Sequence, residues 1–194
     1  MTTTAPGYTF DATLDRSPVT MDQLAELEAS VLWSDDDREA LRRAGEILVP
    51  QTEQILDVWY GFVGGNAHLV AAFAGADGQP SGEYLGAVRE RFGLWIRDVC
   101  ERDHDQQWLD YQNEVALRHH TSKKNATDEV DSPAGYVPLA HLIALIVPIT
   151  VTIRPFLANG EPDAAAVDAM YQAWFKAVTL TVALWAHPYA PDTW

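Results

Sequence analysis

The chain has 194 residues, 47% of them hydrophobic and 21% charged, the make-up of one soluble globular domain with a sizeable core. Its 28 acidic and 13 basic side chains give a formal charge of −15, which repels phosphate backbones and anionic lipid, so neither nucleic-acid nor membrane-surface binding is expected. Cys100 stands alone, which excludes an internal disulfide and a Cys-rich zinc site, and no apolar leader precedes Arg16; both features point to the cytoplasm.

Taken in chain order, residues 1–19 are rich in Thr, Pro and Gly without helical periodicity, which predicts an extended N-terminal arm ahead of a single domain at 20–194. Thr20 and Gln23 form a capping-box pattern that opens a helix carrying Leu24, Leu27, Val31 and Leu32 on one side. Ser34, backed by three aspartates, caps a second helix that runs to Val49, where Pro50 marks a boundary. A third helix is predicted at 51–63 with Ile55, Leu56, Trp59, Tyr60, Phe62 and Val63, and a short apolar one at 67–74 follows the Gly64-Gly65-Asn66 break. After a loop at 77–82 comes a long amphipathic helix at 83–102, with Leu85, Val88, Phe92, Trp95, Ile96 and Val99 spaced by three and four. Another is predicted at 105–120, then a polar loop at 121–135.

The last two helices, 137–158 and 163–186, are apolar over most of their circumference, which implies deep burial or a subunit interface. Within the first of them, the β-branched run at 149–153 favours a strand by propensity, but no other segment alternates well enough to partner it. The most apolar stretch, 139–153, contains His141, Pro148, Thr150 and Thr152 and is too short and too polar to span a bilayer. The fold class is therefore all-α, about eight helices, the count of a globin fold with an additional N-terminal helix.

Among the six histidines His119 is the informative one. It lies eleven residues after Trp108, about three turns plus roughly 20°, so it ends the stripe that also holds Val115, with Tyr111 and Gln112 on either side. His120 is rotated away by about 100°. An inward imidazole reads either as a core histidine bonded to a nearby carbonyl or as an axial ligand of haem. Tyr60 has a hydroxyl that needs a partner when buried and could donate to a polar diatomic, while Trp59 and Phe92 read equally as core or as pocket cover. Asp110 and Glu114 fall off the His119 stripe and read as solvated, and Lys123 and Lys124 as surface charges, at most reaching a carboxylate of a ligand. No phosphate-binding glycine motif, nucleophile–base spacing or general acid–base pair is visible.

Several stretches then point to one family: Pro6-Gly7-Tyr8, ILDVWYGFVG at 55–64, YLGAVRERFGLWI at 84–96, WLDYQNEVALRHHTSKKN at 108–125, PITVTIRPFLA at 148–158 and MYQAWFKAVTLTVALWAHPY at 170–189. Together they resemble the protoglobins, single-domain haem proteins related to the globin domains of globin-coupled sensors. The resemblance implies haem b as cofactor and His119 as the iron's proximal ligand. It implies a distal pocket of Trp59, Tyr60 and Phe92, a ligand cavity lined by Val63, Leu145 and Ile149, and a homodimer built by the last two helices. Leu145 stands where the family carries a phenylalanine, which should widen the cavity. Arg91 is the expected partner of a haem propionate. The expected function is reversible binding of O2, CO or NO at an open axial site, for gas sensing or handling, with only His68 in the neighbourhood to close that site. A sensor of this length would signal through a partner. The alternatives are a haem enzyme acting on reactive nitrogen or oxygen species, or an engineered carbene or nitrene transferase using the same open iron.

Overall fold

The computed structural model describes residues 5–10 and 13–194, and among them it contains eight α-helices and no strand. Five of the eight helices start on a side-chain cap. Helix α1 (Met21–Ser30) opens on the Thr20/Gln23 box: Thr20 Oγ1 accepts the Gln23 N–H at 3.2 Å and Gln23 Oε1 accepts the Thr20 N–H at 2.9 Å. Ser34 and Asp37 cap α2 (Asp35–Leu48) in the same reciprocal way, with its three aspartates at the positive end of the helix. A 3-10 turn at Val49–Gln51, holding Pro50, leads into α3 (Thr52–Gly64). The predicted helix at 67–74 is a single α-turn, α4 (Ala67–Val70), continued by a 3-10 turn at Ala71–Phe73. Ser81 caps α5 (Gly82–Glu101), and Asp105 caps α6 (Gln106–His119) by accepting the Trp108 N–H at 2.8 Å.

The last two helices, α7 (Leu139–Gly160) and α8 (Ala164–Ala186), pack mainly against each other, and α8 also lies on α2 and α6. The β-branched run inside α7 is helical: no strand among the described residues can pair with it, and Ile153 packs into the core. Pro148 and Pro155 each remove a ladder donor, and Thr152 Oγ1 donates to the Pro148 carbonyl at 2.7 Å. With 22 residues and a mean hydropathy of 1.8, α7 is long and apolar enough to cross a membrane by length and composition; it extends beyond the 139–153 stretch. Here it forms one wall of the helical bundle, burying Leu142, Thr150, Ile153 and Leu157 and leaving Ile143, Val147 and Val151 exposed on its outer face.

The main core gathers Leu48, Leu56, Ile96, Leu157, Met170 and Trp174 where α2, α3, α5, α7 and α8 meet. Buried Asp37 ties α2 to α8 by accepting from Lys176 Nζ at 2.8 Å, a charge made tolerable by that pairing. The expected arm falls partly outside the described residues, which omit 1–4 and 11–12. Residues 5–10 run without helix or strand over α5 and α6. The Pro6 carbonyl accepts from Arg91 at 3.1 Å, the Gly7 carbonyl from Arg118 at 2.7 Å, and Tyr8 donates to Asp98 at 2.6 Å. Gly7 sits at a φ of +77°, and a Cβ there would collide with the Thr127 methyl, so glycine is what lets the chain lie this close.

Candidate functional site

Helices α3 to α8 leave between them a cavity of about 450 Å³, within the ~300–1,000 Å³ of small-molecule sites. Its walls bring together all eight residues singled out in the sequence: Trp59, Tyr60, Val63, Arg91, Phe92, His119, Leu145 and Ile149. Most of the lining is apolar or aromatic.

His119 closes α6, and its environment is specific. Nδ1 lies 2.9 Å from the carbonyl of Val115, one turn earlier in the same helix. A carbonyl only accepts, so Nδ1 carries the proton and Nε2 keeps its lone pair. That Nε2 has no hydrogen-bond partner among the described residues, on a ring that lines the cavity. The two sequence readings of this histidine thus merge: one nitrogen is satisfied by the backbone and the other is left over. Trp185 stacks on the ring at 4.8 Å between centroids and 25° between planes, and Trp185 Nε1 in turn donates to Gln112 Oε1 at 3.0 Å. The His119 carbonyl accepts from the Val137 N–H at 2.7 Å and lies 2.8 Å from the Tyr189 hydroxyl, which fastens the end of α6 to the segments flanking α7 and α8. Burial lowers the His119 pKa to about 4, with Lys124 and Arg118 pushing the same way and the Val115 bond opposing. The imidazole is therefore neutral near pH 7, the state that can donate a lone pair to a metal. His120 turns away, its Nδ1 2.8 Å from Ser122 Oγ.

Elsewhere on the cavity wall, buried Trp59 meets Phe92 edge to face at 5.7 Å and 80°. Beside it, the Tyr60 hydroxyl has no hydrogen-bond partner among the described residues, and burial raises its pKa. Leu145 and Ile149, one turn apart on α7, pack on the cluster of Trp59, Val63 and Leu69. His68 is exposed at the cavity wall and meets His141 edge to face at 5.3 Å.

The charged residues differ more from expectation. Arg91 lines the cavity, but both terminal nitrogens are engaged by Asp128, at 2.9 and 2.5 Å. Glu114 is ion-paired with Arg118 at 3.0 Å and Lys123 at 2.6 Å instead of solvated, and Asp110 accepts from the Ser17 N–H at 2.8 Å and Gln106 at 2.7 Å. Lys124 is not a surface charge. Its ammonium is drawn inward to the Tyr84 hydroxyl at 2.8 Å and the Ala72 carbonyl at 3.0 Å.

The sequence reading placed Val115 on the His119 stripe without its carbonyl contact and Lys124 as a surface charge at most reaching a ligand carboxylate; it missed Trp185, Tyr189 and Tyr84 as members of this site. The Val115 carbonyl had a signal in the i−4 geometry of a helix; the other four reach the site through long-range packing, which no local pattern announces.

Among the described residues no group of three or more His, Cys, Asp or Glu could hold a bare metal ion. One imidazole suffices, however, for a metal already seated in a flat macrocycle, and an apolar aromatic cavity with one orphaned Nε2 fits such a cofactor. A search of curated proteins finds no match. The family model described as Protoglobin matches residues 20–194, nearly the whole chain. A family of globin-type haem proteins accounts for both the helical bundle and the chemistry of its cavity, and this chain belongs to the protoglobins.

Proposed function

We propose that the cavity holds haem b, that His119 Nε2 is its proximal ligand, and that the protein binds O2, CO or NO reversibly for gas sensing or handling. The observation that carries this reading is the His119 ring itself: Nδ1 committed to the Val115 carbonyl, Nε2 unpaired at the wall of an apolar cavity. Metal-ligating histidines characteristically use their second nitrogen this way, since the bond fixes the tautomer and the orientation of the ring. When bound, haem supplies an iron with an axial position for a small gas.

The protein's own part is to hold and to shelter. Trp185 and the fastened carbonyl keep the imidazole in place. Trp59 and Phe92 keep water out, and the Tyr60 O–H is free to donate to a polar ligand. Val63, Leu145 and Ile149 shape the apolar room that remains. Of the arm expected at 1–19, the described residues 5–10 and 13–19 serve as a cover over the domain at 20–194. Buried, unpaired Cys100 suits a reducing cytoplasm. The outer stripe of Ile143, Val147 and Val151 on α7, with exposed Phe175 on α8, supports a homodimer through the last two helices.

Purified protein supplied with haem is expected to show a Soret band that shifts when the reduced form meets CO. His119→Ala loses the haem or the shift. A spectrum fixed in a bis-histidine state, insensitive to CO, contradicts the open site.

A further inference from the structure

The molecule is strongly acidic, yet its cavity wall has the opposite sign: Arg91, Arg118, Lys123 and Lys124 line it, against a single carboxylate, Asp128. Three of those cations are already neutralised. Arg91 is held by Asp128 at 2.5 Å, Arg118 by Glu114 at 3.0 Å, and Lys123 by Glu114 at 2.6 Å and Asp15 at 3.7 Å. Lys124 forms no ion pair among the described residues. Its neighbours are neutral dipoles: the Tyr84 hydroxyl at 2.8 Å, the Ala72 carbonyl at 3.0 Å and the Asn125 side-chain oxygen. Asp128 acts on it only through space, because both oxygens of that carboxylate serve Arg91.

A half-buried ammonium without a counter-charge is costly, and its hydrogen bonds to neutral groups offset the cost only partly. Burial accordingly lowers the Lys124 pKa to about 8, with Asp128 opposing. A carboxylate brought by a ligand would supply the missing charge by replacing one of these neutral acceptors, whereas the Tyr84 O–H is itself given to Asn125 Oδ1 at 3.1 Å.

We propose that Lys124, held at the cavity wall by the Tyr84 hydroxyl that accepts from it, is the carboxylate subsite of the cavity and receives one propionate of the haem. The assignment rests on the haem reading above and specifies how the porphyrin is selected and oriented. Lys124 answers the ligand's charge, whereas Arg91 is occupied with Asp128 and the Pro6 carbonyl, holding the arm and the 121–135 loop together.

The test uses the full chain without cofactor, titrated with haemin and with haemin dimethyl ester and followed by the Soret band. Wild type is expected to bind the diacid roughly tenfold or more tightly than the diester, the scale of one charge-assisted hydrogen-bonded pair. Lys124→Met removes most of that ratio while still binding the diester, and Lys124→Arg restores part of it. In nitrogen-resolved NMR the Lys124 Nζ pKa rises on addition of the diacid and not of the diester, a change that a structural lysine would not show. A ratio that survives in Lys124→Met, or an Nζ unmoved by the diacid, overturns the subsite and leaves the haem reading standing. Failure of wild type to bind either porphyrin overturns both.

Discussion

At the scale of single residues, the protein sets the protonation of one imidazole. Free histidine titrates near ~6.5, whereas His119 in the folded apoprotein titrates at about 4. Between these values the unfolded chain carries a proton that the folded chain lacks, so stability rises with pH across the window and falls as acid is added. The expected outcome is that the Tm of wild-type apoprotein drops more steeply from about pH 6.5 to about 4.5 than that of His119→Leu. Equal slopes would show that His119 is not held neutral. The inward direction of this side chain was legible from its distance to Trp108 along one helix. The partners that orient it were not, since Trp185 is 66 residues and Tyr189 is 70 residues further along, on different elements. Lys124, read as a surface charge at most reaching a ligand carboxylate, is half-buried for a related reason: that depends on how the 121–135 loop folds back over the 3-10 turn at Ala71–Phe73 and α5.

At the scale of elements, local chemistry sufficed. Caps at Thr20 and Ser34 bond groups within three residues and were read directly from the sequence, and Ser81, Asp105 and Asp163 cap in the same way helices whose starts the sequence reading placed without naming those caps. The run at 149–153 shows the reverse case, in which packing of Ile153 in the core overrides strand propensity. Segment 5–10 depends on a single backbone conformation, the positive φ of Gly7. Gly7→Ala forces an L residue into that region and into Thr127, at a cost of about 1–3 kcal/mol. The segment should then lift, with faster limited proteolysis and faster haem loss to a competing acceptor at unchanged helical circular dichroism. Wild-type rates in this variant would show that the contacts from Pro6, Gly7 and Tyr8 do not hold the segment down.

At the scale of the whole molecule, the all-α bundle was legible from period and caps, but the fate of its last two helices was not. Apolar residues all round α7 and α8 fit either deep burial or an interface, and sequence periodicity does not separate the two. The structure divides them: α8 buries ten of its 23 residues against four of 22 in α7, which leaves Val147 63% exposed between Ile143 and Val151, each one turn away. If that stripe joins two copies, Val147→Asp places a charge at its centre. Light scattering should then find a dimer for wild type and a monomer for the variant, both folded. A monomeric wild type at micromolar concentration would remove the dimer from the account.

His119 Nε2, the nitrogen left over by the Val115 carbonyl, is the bond to iron proposed above. The most direct measurement is the absorption spectrum of ferrous His119→Gly with and without added imidazole. The variant is expected to lose the wild-type spectrum, and imidazole, entering the space the side chain vacates, to restore both it and the CO shift. A His119→Gly spectrum identical to wild type without imidazole would contradict that bond.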